Sequence, residues 1–118
     1  MNHNNIISNF KSKLPEKVFF HYFPKSIYGS NPFDCLLIWN QEVHCIEFKT
    51  QYDHLKPHQH LGLQKAIDNG AKSWIIRGAF KKKGQLIRNF IQLETIEEKI
   101  ILAGKPIEII NYLKNINR

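Results

Sequence analysis

The sequence has few cysteines, the residues whose disulfides stabilise extracellular domains, and it has no apolar run of membrane-spanning length. It contains two cysteines in 118 residues, Cys35 and Cys45, which we interpret as buried reduced thiols rather than a disulfide. No apolar run approaches the roughly 18 residues of a membrane span. The first residues also lack the charged-then-apolar pattern of a signal peptide. We therefore expect a cytoplasmic protein that has no membrane partner.

Acidic residues are scarce relative to basic ones. The chain has 10 Asp plus Glu against 17 Lys plus Arg, a formal net charge of +7. This balance favours a polyanionic partner such as nucleic acid, although charge alone does not separate DNA from RNA. Hydrophobic residues at 42% and charged residues at 23% are close to the averages of globular domains. At this length we expect one domain over residues 1–118.

Hydrophobic periodicity predicts an α/β domain with a mixed β-sheet between helices and a C-terminal helical part. The predicted elements are a helix over 4–14, a strand over 17–23, a β-hairpin within 31–50, a helix from Pro57 to Gly70, strands over 73–77 and 89–93, and helices over 95–103 and 106–115. The strand–helix–strand order around Pro57 to Gly70 implies a right-handed crossover and parallel pairing. Both faces of the hairpin are apolar, so helices should cover both sides of the sheet.

The hairpin, NPFDCLLIWNQEVHCIEFKT, carries the candidate chemistry. A turn centred on Asn40 and Gln41 places Asp34 opposite Glu47, with their Cβ atoms about 5 Å apart. Lys49 lies two residues after Glu47 and therefore on the same face of the strand. The register gathers two carboxylates and one ammonium at one end of the hairpin. We interpret this as a candidate metal site with a catalytic lysine beside it.

The same residues resemble the PD-(D/E)XK nuclease superfamily, through Pro32-Phe33-Asp34 followed by Glu47-Phe48-Lys49. The layout is most similar to that of the VRR-NUC branch and its Holliday-junction-resolvase relatives, in which a glutamine follows the motif lysine on the next helix. In the run KTQYDHLKPHQ that glutamine is Gln59, and the later run NGAKSWIIRG is similar to the segment that follows in this branch. The resemblance covers 31–78 and implies a restriction-endonuclease-like core.

The chain departs from this family pattern in three ways. Phe33 is an extra residue between the motif proline and the aspartate. Many members carry a first-helix glutamate that joins the metal site, and the nearest acid here is Glu16, after Pro15. The segment after Leu93 lies outside the resemblance.

The resemblance implies an Mg²⁺-dependent endonuclease, with Mn²⁺ as a substitute. Asp34 and Glu47 would bind the metal through their carboxylates, and Phe48 would add its carbonyl oxygen. Lys49 would orient the attacking water or stabilise the charged transition state, and Gln59 would hold the water or the lysine. By resemblance to the resolvases the substrate is branched DNA. Since symmetric cutting of a four-way junction needs two active sites, we predict a homodimer.

Other polar residues are candidates for contact with nucleic acid. Lys81, Lys82 and Lys83 form a basic loop that we predict to contact phosphate, and His58 could touch substrate because it is next to Gln59. His54, His58 and His60 could suggest zinc, but no Cys or acidic partner lies at suitable spacing, so a solvated or DNA-facing loop is the preferred interpretation.

Two other functions stay open, since an E-x-K triplet often occurs by chance. One is a non-catalytic nucleic-acid-binding module of the same fold. The other is a restriction-type or RNA-cutting nuclease.

Overall fold

A six-stranded mixed sheet and three helices make up the fold, in a computed structural model that describes residues 3–24, 31–78, 81–82, 85–86 and 90–116. The elements are α1 (His3–Ser12), β1 (Phe19–Tyr22), β2 (Cys35–Trp39), β3 (Glu42–Lys49), α2 (Pro57–Asp68), β4 (Lys72–Gly78), β5 (Lys81–Lys82), β6 (Gln85–Leu86), β7 (Ile91–Glu94), β8 (Ile100–Gly104) and α3 (Pro106–Asn115). The main sheet has the order β1-β2-β3-β4-β7-β8, and β5 pairs with β6 separately. Within the described chain, no helix has the length and apolarity to cross a bilayer.

The β2–β3 hairpin has the predicted register. Asn40 and Gln41 form its turn with φ values of 52° and 66°, the left-handed conformation of a type I′ hairpin turn. Cys35 pairs with Ile46 across the hairpin, so the preceding residue, Asp34, lies opposite Glu47. Backbone pairing continues there, because the Asp34 N–H donates to the Ile46 carbonyl at 3.1 Å.

The two cysteines are buried and unbonded to each other, as predicted. Successive residues of a strand point to opposite faces, so Cys35 packs with the α1 side of the sheet and Cys45 with the α2 side. Burial raises the pKa of the Cys45 thiol to about 11 and that of Cys35 further. Both thiols are therefore protonated at neutral pH.

The predicted crossover is present between β3 and β4. The two strands are parallel, with Glu47 beside Ile75 and Lys49 beside Arg77. The connecting helix α2 begins at Pro57 and buries Leu63 against the sheet. Gly70 follows the helix with φ of 96°, a left-handed conformation that favours glycine.

Helices cover both faces of the sheet, as the two apolar faces of the hairpin predicted. On one face α1 and α3 enclose the larger core, where the Phe10 and Phe48 rings meet edge to face at 5.7 Å. On the other face α2 packs over a smaller cluster centred on Cys45, Leu63 and Ile96. The polar ends of β3 and β4 emerge on this second face, beside the start of α2.

The predicted helix over 95–103 is wrong. Ile100–Gly104 is the edge strand β8, paired antiparallel with β7, and a turn precedes it in which the Glu98 N–H donates to the Thr95 carbonyl at 2.9 Å. Apolar residues at helical spacing misled the prediction, since pairing with β7 satisfies the same backbone groups and suits the β-branched residues. The helix predicted over 106–115 is confirmed as α3.

Candidate active site

A cavity of about 700 Å³ opens at the end of the β2–β3 hairpin. It is bounded by α1, β1, the hairpin, the connection after β3 and the first turn of α2. It brings together all four predicted catalytic residues and Phe48. Its lining consists of Asn4, Tyr22, Asp34, Glu47, Phe48, Lys49, Thr50, Asp53, Lys56 and Gln59.

Glu47 and Lys49 are both nearly inaccessible, each 3% exposed, although they line the cavity. The Lys49 Nζ lies 3.5 Å from the Glu47 Oε2. Burying an ionised group is costly unless it is paired and hydrogen-bonded, and here the two buried charges pair with each other. Its place at a cavity wall rather than in the apolar core is typical of a functional site.

Asp34 is held at the start of β2 by the backbone of the facing strand. Its Oδ2 accepts a hydrogen bond from the Phe48 N–H at 2.8 Å. Since Phe48 stands between Glu47 and Lys49, this bond fixes the Asp34 carboxylate against the motif residues of β3. The two carboxylates and the ammonium therefore lie together in the cavity.

The donor set suits a hard cation. Mg²⁺ is usually bound by one or two carboxylates, with waters and substrate phosphate completing its octahedron. Asp34 and Glu47 supply two carboxylates at the cavity, and the backbone of Phe48 lies beside them. In the described residues no three His, Cys, Asp or Glu side chains form a metal-binding group, and a closed zinc centre would need about four such ligands. The residues fit magnesium better than zinc.

Gln59 contacts Glu47, a partner that the sequence analysis did not name beside the attacking water and Lys49. Its Oε1 accepts from the Lys56 N–H at 2.9 Å, so its Nε2 must be the amide nitrogen that donates to the Glu47 Oε2 at 2.8 Å. Gln59 thus caps the start of α2 and holds Glu47, rather than holding Lys49 directly. The same Glu47 oxygen faces both Gln59 and Lys49.

Five further residues that line the cavity were not identified from the sequence as site residues, among them Asp53, Tyr22 and Asn4. Asp53, in the turn after β3, places its Oδ2 3.7 Å from the Lys49 Nζ. Tyr22 of β1 lines the cavity; burial, followed by the negative charge of Asp34, raises the pKa of its phenol. The first helix contributes Asn4, whereas Glu16 is exposed beyond the end of α1 and does not line the cavity. Only the four-residue spacing of Asp53 from Lys49 was visible in the sequence.

Of the candidate nucleic-acid contacts, His58 lies outside the cavity lining. His58 and His60 are exposed on the first turn of α2, and the Nδ1 of His54 lies 3.0 Å from the Glu98 Oε1. Among the described residues these histidines form no metal-binding group. Lys81 and Lys82 lie in β5, but their side chains, and Lys83 as a whole, fall outside the described part of the chain.

The fold is restriction-endonuclease-like, as predicted. It is similar to the structure of Hjc, a Holliday junction resolvase from the archaeal hyperthermophile Archaeoglobus fulgidus, with a TM-score of 0.53 at 14% sequence identity. The match covers 92% of this chain and 94% of that chain, so it extends well beyond the motif region 31–78. No protein-family model and no curated protein sequence matches the chain.

Proposed function

We propose that this protein is a metal-dependent endonuclease that hydrolyses phosphodiester bonds in branched DNA. The observation that carries the proposal is the convergence of Asp34, Glu47, Lys49 and Gln59 in one cavity at the end of the hairpin. The fold shared with a Holliday junction resolvase supports the same class of activity. Net charge of +7 supports a polyanionic substrate.

Each residue of the cluster has a distinct role in this proposal. Asp34 and Glu47, with the carbonyl of Phe48, would hold Mg²⁺, or Mn²⁺ in its place. A metal bound there would polarise the scissile phosphoryl group and help to generate hydroxide from water. Lys49 places a positive charge where the transition state gains negative charge, and orients the attacking water. Gln59 fixes Glu47 by donating to its Oε2 at 2.8 Å.

The finer features of the proposal rest on the resemblance of the motif to the VRR-NUC and resolvase nucleases. We propose that the preferred substrate is a four-way or similar junction, and that two copies act together because symmetric cutting needs two active sites. Lys81, Lys82, Lys83 and His58 are proposed contacts to DNA. A cytoplasmic location fits these roles.

The proposal predicts that cleavage depends on both Mg²⁺ and Lys49. Native protein and Lys49→Ala would be compared on a labelled four-way junction, flap, splayed arm, duplex, single strand and RNA. We expect native protein to cut branched DNA preferentially, and Lys49→Ala to lose at least about 100-fold in rate because a charge facing the reacting phosphate is missing. Lys65→Ala, an exposed lysine on α2, is the matched control and should cut at the native rate.

The same panel distinguishes the other functions. Binding to DNA without Mg²⁺-dependent cutting, and unchanged by Asp34→Ala, would mean a non-catalytic binding module. Sequence-dependent cutting of plain duplex, or cutting of RNA, would mean a restriction-type or RNA-cutting nuclease.

A further inference from the structure

Arg77 is a buried arginine that joins the turn after β3 to the β7–β8 connection. Its side chain is 7% exposed, and each terminal nitrogen has a partner. Nε donates to the Glu94 Oε2 at 2.9 Å, and Nη2 donates to the Glu98 Oε1 at 2.7 Å. Nη1 donates to two backbone carbonyls of the turn, that of Thr50 at 3.0 Å and that of Asp53. The planar guanidinium is suited to this role because its donors point in fixed directions.

Arg77 also lies beside the proposed catalytic lysine. Lys49 and Arg77 are register partners on the parallel strands β3 and β4, so two buried cations stand next to each other on one face of the sheet. Such a pair is tolerable only when each cation has its own anions. Arg77 has Glu94 and Glu98, whereas the carboxylates nearest the Lys49 ammonium are those of Glu47 and Asp53.

Asp53 belongs to both arrangements. Its carbonyl accepts from Arg77, and its carboxylate Oδ2 lies 3.7 Å from the Lys49 Nζ. The second half of this turn is exposed: Tyr52 is 82% exposed, and the Asp53 side chain is 55% exposed. An exposed turn holds a carboxylate at a defined place only when its backbone is fixed, and Arg77 fixes two of its carbonyls.

The position of the ammonium between two carboxylates has a consequence for metal binding. Lys49 Nζ is 3.5 Å from Glu47 and 3.7 Å from Asp53, whereas a charge-assisted hydrogen bond closes to about 2.8 Å. Asp53 is therefore a second carboxylate that competes with Glu47 for the ammonium, and neither ion pair closes to hydrogen-bond distance. Without Asp53, Lys49 would close on Glu47 and compete more strongly with a divalent cation for the same carboxylate.

We propose that Arg77 and Asp53 are positioning residues for the Lys49 ammonium: Arg77 fixes the 50–53 turn, and the turn places the Asp53 carboxylate so that Lys49 does not close a direct hydrogen bond to Glu47. This inference rests on the proposed function, in which Glu47 binds a metal. It assigns roles to two residues outside the hairpin motif.

The first test measures metal binding directly, without DNA. Binding of Mn²⁺ is measured by titration calorimetry. Asp53→Asn should weaken it by about 10-fold, because the released ammonium competes for Glu47. Asp53→Glu keeps the charge and should recover part of the affinity. Asp68→Asn removes one exposed acid from the far end of α2 and should leave Mn²⁺ affinity unchanged.

The second test measures the turn itself by hydrogen–deuterium exchange of residues 50–56. Arg77→Met combined with Glu94→Gln removes the guanidinium together with its buried counter-charge, and should raise exchange in this segment and weaken Mn²⁺ binding as Asp53→Asn does. Lys72→Met is the matched control: Lys72 lies at the other end of β4, about 16 Å from Arg77, and pairs with Glu42 of β3. If the double variant does not fold, Arg77→Lys, which keeps the charge but not the fork, replaces it.

The outcomes separate this inference from the proposed function. Mn²⁺ affinity and junction cleavage both unchanged in Asp53→Asn, or exchange of 50–56 unchanged without the Arg77 guanidinium, would overturn the positioning role while native cleavage stands. Native protein that binds Mn²⁺ but cuts no nucleic acid would overturn the proposed function, and a weakened Mn²⁺ affinity in Asp53→Asn would still support the positioning role. Native protein that binds no Mn²⁺ overturns both.

Discussion

At the scale of single residues, Gln59 links the first turn of α2 to the proposed metal site. Its amide oxygen is used by the Lys56 N–H and its amide nitrogen by Glu47. A glutamine can do both because it presents one acceptor and one donor group at the same carbon, whereas a glutamate presents only acceptors when ionised. The neutral amide also adds no charge to a cavity that already contains several carboxylates.

Gln59→Glu is therefore expected to make the protein's stability depend on divalent cations. The new carboxylate keeps the contact with Lys56 but meets Glu47 at about hydrogen-bond distance, where two ionised carboxylates repel each other. We expect a loss of about 2 kcal/mol in EDTA, and a larger stabilisation by Mg²⁺ than in native protein, because the cation offsets the repulsion. Thermal unfolding with EDTA and with Mg²⁺ measures both effects.

Gln64→Glu provides the control on the same helix. Gln64 Nε2 donates to the Asp68 Oδ1 at 3.0 Å, but this pair is exposed, and solvent screens the new repulsion. Its stability should change by no more than about 0.5 kcal/mol, with no special response to Mg²⁺. Equal unfolding temperatures of Gln59→Glu and Gln64→Glu in EDTA would contradict the role given to Gln59.

His44 is expected to make the fold sensitive to mild acid. The ring is fully buried, and its Nδ1 accepts from the Trp74 Nε1 at 3.0 Å, so it is neutral in the folded protein. Burial lowers the pKa of His44 from 6.5 to about 4. Above pH 6.5 neither state binds this proton. As the pH falls from 6.5 to 4, the unfolded chain binds a proton that the fold excludes, so stability falls by about 3 kcal/mol in total.

Urea unfolding between pH 7 and pH 4 measures this dependence. His44→Gln offers the indole an amide oxygen in place of the imidazole nitrogen and should be less stable at pH 7. On acidification it should lose less stability than native protein, and the slopes of the free energy of unfolding against pH should differ by at most about the contribution of one bound proton. Identical pH slopes for native protein and this variant would show that His44 does not carry the effect.

At the scale of secondary-structure elements, the hairpin could be predicted because its determinants are local. Asn40 and Gln41 tolerate the left-handed turn, and the turn fixes the pairing of every residue before and after it. The placement of Asp34 opposite Glu47 follows from that pairing alone. Gln59 was predictable to the level of its helix, because Pro57 marks the first turn and Gly70 the end.

The contacts of Arg77 were not predictable, because their determinants are distant in the sequence. Arg77 lies in a short apolar strand, and its partners come from the turn after β3 and from the end of β7 and beyond. No periodicity connects these segments; only the sheet order does. The edge strand β8 was mistaken for helix for the same reason, since its pairing with β7 is a tertiary contact that overrides local spacing.

Helix α2 packs against the loop before Asp34, and this packing predicts that Gly62→Ala lowers stability. A Cβ at Gly62 would lie 2.5 Å from the Pro32 Cβ and 3.0 Å from its carbonyl oxygen, so α2 or the loop before Asp34 must move. Alanine gains about 1 kcal/mol in helix propensity, but overpacking of this kind costs about 1–3 kcal/mol. We expect a net loss of stability in urea unfolding, and slower cleavage because Asp34 and Gln59 move apart.

Gly70→Ala is the control for this substitution. Gly70 has φ of 96°, and a Cβ there would meet no atom within 4 Å, so the cost is backbone strain at the end of α2, remote from the cavity. This variant should lose about 1 kcal/mol of stability and cleave at the native rate when folded. A Gly62→Ala protein that is more stable than native would show that the loop yields without cost.

At the scale of the whole molecule, the charge distribution separates two tasks. The chain carries a net charge of +7, yet Asp34, Glu47 and Asp53 all line the cavity where the chemistry is proposed. The overall charge attracts a polyanion over a distance of about a Debye length, whereas acidic groups in a cavity repel phosphate unless a cation lies between them. A divalent ion in the cavity would therefore serve substrate binding as well as hydrolysis.

The proposed homodimer is tested by counting cuts. Since each copy contributes one candidate active site and one strand is cut per site, sedimentation with a four-way junction should show a complex containing two chains of 13.9 kDa each. Native protein mixed and re-equilibrated with excess Lys49→Ala should then produce mainly junctions nicked in one strand, because most native copies have an inactive partner. Paired cuts at the native ratio in this mixture, or a single chain on each junction at micromolar protein, would contradict the dimer and leave a monomeric nuclease that cuts each strand independently.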